Sequence, residues 1–303
     1  MKSKALRVFE KRNFNLYIML IPAILGFFIF QYLPILGGIL ISFKKYDLVK
    51  GLLGSDWVGF NYFIQFFEDI YFTRLLRNTV VLGVYSMIWC FFPPIILAIM
   101  INEASNKYFK RLVQSVTYLP YFISVVVIVG IMFTLLGNDG IINDFIASIG
   151  IERVNFISNP AWFRSLYIVN RLWQLNGFYA VIYLGALMSI DQELYQAAKI
   201  DGANRIQQII HISLAGIAPT IRVILVLSIG NIVNLGFEKV YLMYSPAVYE
   251  TADVLQTYVY RRGIESMDYG YAGAVSLFNS IISIILLYVS NYFTKKSSGE
   301  GLW

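Results

Sequence analysis

Three short sets of polar residues interrupt the long apolar stretches of this sequence. Asn170, Arg171, Trp173, Gln174 and Asn176 cluster in one, and Ser228, Asn231 and Asn234 recur in a second. In a third, Ser276, Asn279, Ser280 and Ser283 stand at i, i+3, i+4 and i+7, the spacing of one helix face. Amides, hydroxyls and an indole so placed can hydrogen-bond and stack against a polar solute. Small polar residues also pack membrane helices against one another, and both readings stay open for the serine face. Catalysis is a poorer fit. His211 and Cys90 are the only histidine and cysteine and lie far apart in sequence, so no metal cluster or nucleophile–base pair is assembled from them.

The elements that must hold these sets are membrane helices. Mean hydropathy is +0.63, and only 14% of the 303 residues are charged against 17% aromatic. A bilayer core of roughly 30 Å needs about 20 helical residues to cross. Six apolar windows meet that length: 17–43, 79–101, 112–136, 165–189, 213–236 and 271–293. The sequence therefore predicts an all-α integral membrane protein with one transmembrane domain over residues 1–303. The first window exceeds the bilayer and is expected to tilt or bend at Pro34. Pro93-Pro94 and Pro120 are expected to bend the second and third helices. Its length and the lack of a small-residue cleavage site mark the first window as a helix rather than a secretory signal.

Orientation follows from the basic residues. With the N-terminus inside, inner segments carry 12 Lys and Arg in 59 positions and outer segments 10 in 97. That density, led by Lys2, Lys4, Arg7, Lys11 and Arg12 before the first window, places both termini in the cytoplasm. The net charge of +6 is spread over loops rather than gathered on one face, which excludes nucleic acid as a partner and leaves membrane lipid as the surrounding. The first outer loop holds Trp57, Phe60, Tyr62, Phe63, Phe66, Phe67, Tyr71 and Phe72. It is expected to form an amphipathic helix at the membrane surface or under a docking partner.

What is missing narrows the energy source. No Asp or Glu lies within the six windows, so no buried carboxylate is available to carry a proton, although sodium coupling through backbone carbonyls remains open. No Gly-Lys dipeptide occurs, so the chain lacks the loop that cradles nucleotide phosphates. ATP, if used, must be bound by another subunit.

Residues 190–212 form a charged cytoplasmic segment between two apolar windows. Asp191 can cap a helix that Gly202 stops, and a second helix starts near Asn204 and runs toward Pro219. Leu194, Ala197, Ala198 and Asp201 share one face, made narrow and flat by the alanines. Such a face suits the groove of a partner, and equally an amphipathic helix resting on lipid headgroups.

The stretch "QAAKIDGANRIQQIIHISLAGIAP" resembles the cytoplasmic signature of permease subunits of binding-protein-dependent, type I ABC importers. Ala197, Ala198, Gly202, Ile212 and Leu214 fall on the pattern, whereas Gln196 stands where the family has Glu and Ala215 where it has Pro. "TYLPYFIS", "IYLGALMSIDQELYQAAKIDGA", "GFEKVYLMYSPAVYETADVLQTYVYRRGI" and the terminal "GLW" are similar to the permeases that import complex oligosaccharides and polysaccharide fragments. The resemblance implies a non-catalytic, multi-pass subunit of a bacterial cell membrane. It also implies a second homologous permease, a dimeric sugar-importer ATPase that holds ATP and magnesium, and an extracellular substrate-binding lipoprotein as partners. This chain would bind no cofactor or metal of its own. Leu194, Gln196, Ala197, Ala198, Asp201, Gly202, Ala203, Ile212 and Leu214 would couple it to the ATPase, and the three polar sets would line the sugar path. Arg171, if it faces that path, would favour a uronate-bearing sugar; its place in the outer third of its window also allows it to reach the membrane surface.

Overall fold

The computed structural model describes residues 14–298 and residue 301, so the basic cluster before the first window lies outside the described residues, as do Leu302 and Trp303. Helices follow one another along the chain as α1 (Phe14–Phe27), α2 (Leu33–Ile41), α3 (Gly51–Gly54), α4 (Asn61–Glu68), α5 (Phe72–Glu103), α6 (Lys107–Tyr118), α7 (Val125–Leu136) and α8 (Ile141–Ser148). The second half holds α9 (Pro160–Met188), α10 (Gln192–Ile200), α11 (Arg205–Gln208), α12 (Ala215–Gly230), α13 (Phe237–Met243), α14 (Tyr249–Ala252), α15 (Leu255–Tyr260) and α16 (Tyr269–Ser298). Among the described residues, strand is confined to an antiparallel ladder pairing Lys44 with Trp57 and Lys45 with Asp56.

Among the described residues, five helical stretches are long and apolar enough to cross a membrane: Tyr17–Ile41, Phe72–Glu103, Val125–Ser148, Arg205–Gly230 and Tyr269–Ser297. The predicted fourth span, α9, has the length at 29 residues. Its composition falls short because Arg164, Asn170, Arg171, Gln174 and Asn176 dilute the apolar run.

Proline shapes these spans in three ways. The first helix widens into a π-helical stretch, Phe28–Tyr32, just before Pro34, whose missing N–H leaves an upstream carbonyl unpaired. In contrast, α5 runs unbroken through Pro93 and Pro94. Around Pro120 the expected bend in the third span becomes a break: α6 ends in a tight 3-10 turn, Leu119–Phe122, and Ile123 is extended. Ser124 then caps α7 by accepting from the Val127 amide at 3.4 Å. The predicted third span, 112–136, is thereby corrected to an α6 and an α7 that meet at the break, with the apolar stretch displaced to Val125–Ser148.

A break inside an apolar setting strands backbone carbonyls that must find partners. Gln174 of α9 supplies one, its Nε2 donating to the Ile123 carbonyl at 3.3 Å, and Asn170 Nδ2 adds a bond to the Ile128 carbonyl within α7 at 3.5 Å. Gly177 permits the approach, since a Cβ there would stand 2.1 Å from the Thr117 carbonyl oxygen.

The chain divides into two compact units, Met1–Asp69 with Val259–Leu277, and Ile70–Tyr258 with Phe278–Trp303. In the first, the aromatic loop packs largely on itself. Phe43 stacks on Trp57 with centroids 5.6 Å apart, and Phe66 is buried beneath Tyr271. The Tyr271 hydroxyl donates to Asp69 at 2.8 Å, and Arg262 lies over the Tyr271 ring. In the second unit, the packing of α5 on α9 is the most extensive helix pair. Its two apolar cores are built around Leu82, Val129, Phe163 and Val240, and around Ala98, Leu187, Ile217 and Ile224.

Candidate functional site

A cavity of about 330 Å³ opens within the second unit between α5, α9 and α12. From the sets singled out in the sequence it takes Arg171, Ser228, Asn231 and Asn234. Its wall adds Ser86 and Cys90 from α5 and Tyr179 and Tyr183 from α9, none of them predicted. Only their inward direction distinguishes these four from neighbouring lipid-compatible residues, and direction is set by packing.

The other expected path residues are placed differently. Asn170 and Gln174 are buried against the broken third span and are not wall residues. Trp173 is exposed on the outside of α9. Asn176 and Ser280 are likewise not among the walls, and Ser276 belongs to the other compact unit. Asn279 supports the wall from behind: its Nδ2 donates to Asn234 Oδ1 at 3.1 Å, while Asn234 Nδ2 donates to Ser283 Oγ at 2.8 Å.

The turn after α12 is pinned to α9. Arg171 Nη1 donates to the Leu235 carbonyl at 3.2 Å, and the Tyr167 hydroxyl donates to the same oxygen. Gly236 adopts φ +79°, the left-handed conformation that glycine takes without strain, and reverses the chain into α13. This reversal buries Lys239, whose Nζ donates to Gln174 Oε1 at 2.7 Å. Burial, and next the charge of Arg171, bring the Lys239 ammonium down to about 7. Sequence gave no sign of this lysine, which reads as an ordinary loop charge.

The second candidate region is the segment 190–212. Asp191 caps α10 by accepting from the Glu193 amide at 2.9 Å. Gly202 takes φ +78° and the Ala203 amide returns to the Ala198 carbonyl at 2.8 Å, closing the helix. Asn204 and Gln207 form a reciprocal capping box that starts α11. A π-helical stretch, Ile209–Leu214, carries α11 without interruption into α12.

Exposure sorts the expected coupling residues. Leu194, Gln196, Ala197, Asp201 and Gly202 are exposed, whereas Ala198, Ala203, Ile212 and Leu214 are half-buried. Leu214 packs into the core around Leu187 and Ile217. The Tyr195 hydroxyl lies 2.9 Å from Ser213 Oγ, and Ser213 is buried. An exposed helix is thus tied through one face to the start of a membrane helix.

Residues 94–296 match the family of binding-protein-dependent transport system inner membrane components. The chain belongs to that family. It is 43% identical to protein LplB of Bacillus subtilis (strain 168) over 97% of this chain and 92% of the relative. It is 41% identical to YteP of the same organism, a polygalacturonan/rhamnogalacturonan transport system permease protein, over 95% of this chain and 90% of that one. In structure it is similar to a chain of a bacterial ABC transporter involved in the import of the acidic polysaccharide alginate. The TM-score is 0.89 at 39% identity, covering 97% of this chain and 100% of the other. Family membership makes this chain a permease component of an ABC transporter in the inner membrane, and the helical architecture is that of such permeases.

Proposed function

We propose that this chain is the membrane-spanning half of an ATP-driven oligosaccharide importer. The observation that carries the proposal is the exposed, doubly capped α10 joined to α12, a surface with no apolar cover of its own and a rigid route into the bundle. The names of two relatives, a polygalacturonan/rhamnogalacturonan transport system permease and a transporter involved in alginate import, support the substrate class. In this reading α9 crosses the membrane as a sixth span, both termini lie in the cytoplasm, and residues 1–303 act as one permease domain.

Leu194, Gln196, Ala197, Asp201 and Gly202 would meet a separate ATPase dimer, which holds ATP and magnesium. Ala198, Ala203, Ile212 and Leu214 would transmit its movement inward. Closure of that dimer would turn the paired permeases from inward-facing to outward-facing by favouring one of two arrangements. An extracellular binding lipoprotein would then deliver the sugar to the cavity. Its hydroxyl and amide groups, Ser86, Ser228, Asn231 and Asn234, would exchange for the water on the sugar hydroxyls, and Tyr179 would offer a ring face.

Reconstitution decides between this and a sodium-coupled carrier or passive channel. Proteoliposomes containing the chain, its permease partner and the ATPase should take up oligosaccharide only with internal ATP and external binding protein. Uptake by this chain alone, driven by sodium or by the sugar gradient, would overturn the proposal.

A further inference from the structure

One cation, Arg171, stands in the cavity wall, and a second, Lys239, is buried within its field without lining the cavity. Two arginines elsewhere in the same unit do have carboxylate partners: Arg74 meets the buried Asp253 carboxylate at 2.9 Å, and Arg153 meets Asp144 at 2.7 Å. Neither Arg171 nor Lys239 has a carboxylate within ion-pair distance among the described residues. Lys239 is 6% exposed, and its one hydrogen bond goes to the neutral amide oxygen of Gln174. A buried lone ammonium is costly unless something compensates it. Gln174 cannot turn away to relieve the strain, because its own NH₂ group is committed to the Ile123 carbonyl of the broken span.

Arg171 stands in the cavity wall. Its bonds to the Tyr167 hydroxyl and the Leu235 carbonyl both run through Nη1, which leaves Nη2 without a protein partner among the described residues. The remaining polar wall groups are hydroxyls and amides, and no acidic residue is among them. A neutral sugar would leave both charges uncompensated. A carboxylate would give the guanidinium a charge-assisted partner and relieve the field that Arg171 and Lys239 impose on each other.

We propose that Arg171, with Lys239 behind it, forms a carboxylate-recognition subsite, so that the oligosaccharide this importer moves is an acidic one bearing uronate residues. Arg171 is the contacting group. Lys239 is a positioning residue that raises the positive potential and holds Gln174. This assignment rests on the oligosaccharide reading above.

The test is uptake by the complete importer in proteoliposomes, comparing trigalacturonate with its carboxyl-reduced counterpart, galactotriose. Arg171→Gln and Lys239→Gln should each raise KM for trigalacturonate about tenfold more than they raise KM for galactotriose, with maximal rate retained. Arg171→Lys, which keeps the charge, should retain most of the acidic uptake, and it decides the matter if the wild type imports trigalacturonate alone. Equal losses for the two sugars, no loss for either, or equal failure of Arg171→Lys and Arg171→Gln would overturn the subsite while leaving the importer reading intact. A wild-type complex that imports neither sugar would contradict the oligosaccharide reading itself, and this assignment with it.

Discussion

The Tyr195 hydroxyl and Ser213 Oγ, 2.9 Å apart, join the exposed face-bearing helix α10 to the π-helical entry of α12. A tyrosine and a serine separated by 18 positions carry no periodic signal in the sequence. In the proposed importer this contact would make α10 and α12 move together. Tyr195→Phe removes about 1 kcal/mol of hydrogen bonding. Sugar uptake per ATP hydrolysed should fall while ATP hydrolysis by the assembled complex persists. Ser213→Ala should do the same, and the double variant should add little to either. Unchanged uptake per ATP in both single variants would show that the contact transmits nothing.

Packing at the broken third span gives a sharper prediction. Gly177→Ala would drive a methyl group to 2.1 Å from the Thr117 carbonyl oxygen, a backbone atom that cannot swing aside. The expected loss is about 3 kcal/mol, at the upper end for overpacking. Gly185→Ala, in the same helix with nothing within 4 Å, should be neutral or slightly stabilising. Thermal unfolding of the purified protein in detergent compares the two, and equal midpoints would contradict the account of how α9 fits the break.

Lys239 makes stability depend on pH. Its ammonium is brought from 10.5 to about 7 by burial first and by Arg171 second. Of the helices packed on α13, α7 carries no titratable side chain, while α9 presents Arg171 and Tyr167; Cys90 on α5 is the remaining neighbour, and Glu238 on α13 itself is exposed. Between about 7 and 10.5 the unfolded chain holds more protons at this site than the folded one, so folding stability rises with pH across that window. The penalty is fully present below pH 7, where the buried ammonium is charged. Lys239→Met should therefore melt higher than the wild type at pH 6, by about 2–4 °C per kcal/mol recovered, with the gap closing toward pH 9.5. A gap that does not change with pH would show that Lys239 is not the titrating group.

How far the sequence was legible depended on whether a signal was periodic or positional. Apolar length located the helices around residues 17–41, 72–103 and 269–297, and turn chemistry located Asp191, Gly202 and Asn204. Pro120 predicts a bend, where the structure has a break at Leu119–Phe122, because proline alone does not reveal that Ser124 will cap a new helix. Asn170 and Gln174, expected on the sugar path, donate to backbone carbonyls of the third span, since polar residues in an apolar helix serve equally to satisfy a neighbour's backbone. Arg171, Ser228, Asn231 and Asn234 did reach the cavity. Lys239 could not be recognised, since its burial arises from the reversal at Gly236, sixty-odd residues along the chain from its partner Gln174.

The central claim is that work enters this chain through the exposed face of α10. Ala197 is exposed, so a bulky side chain there disturbs nothing within the protein, whereas Ala198 is half-buried and would report on packing instead. The most direct measurement is therefore Ala197→Trp in the assembled importer, with normal insertion confirmed by an unchanged melting midpoint. The account predicts that ATPase association and sugar uptake are both lost. Retention of both would contradict it.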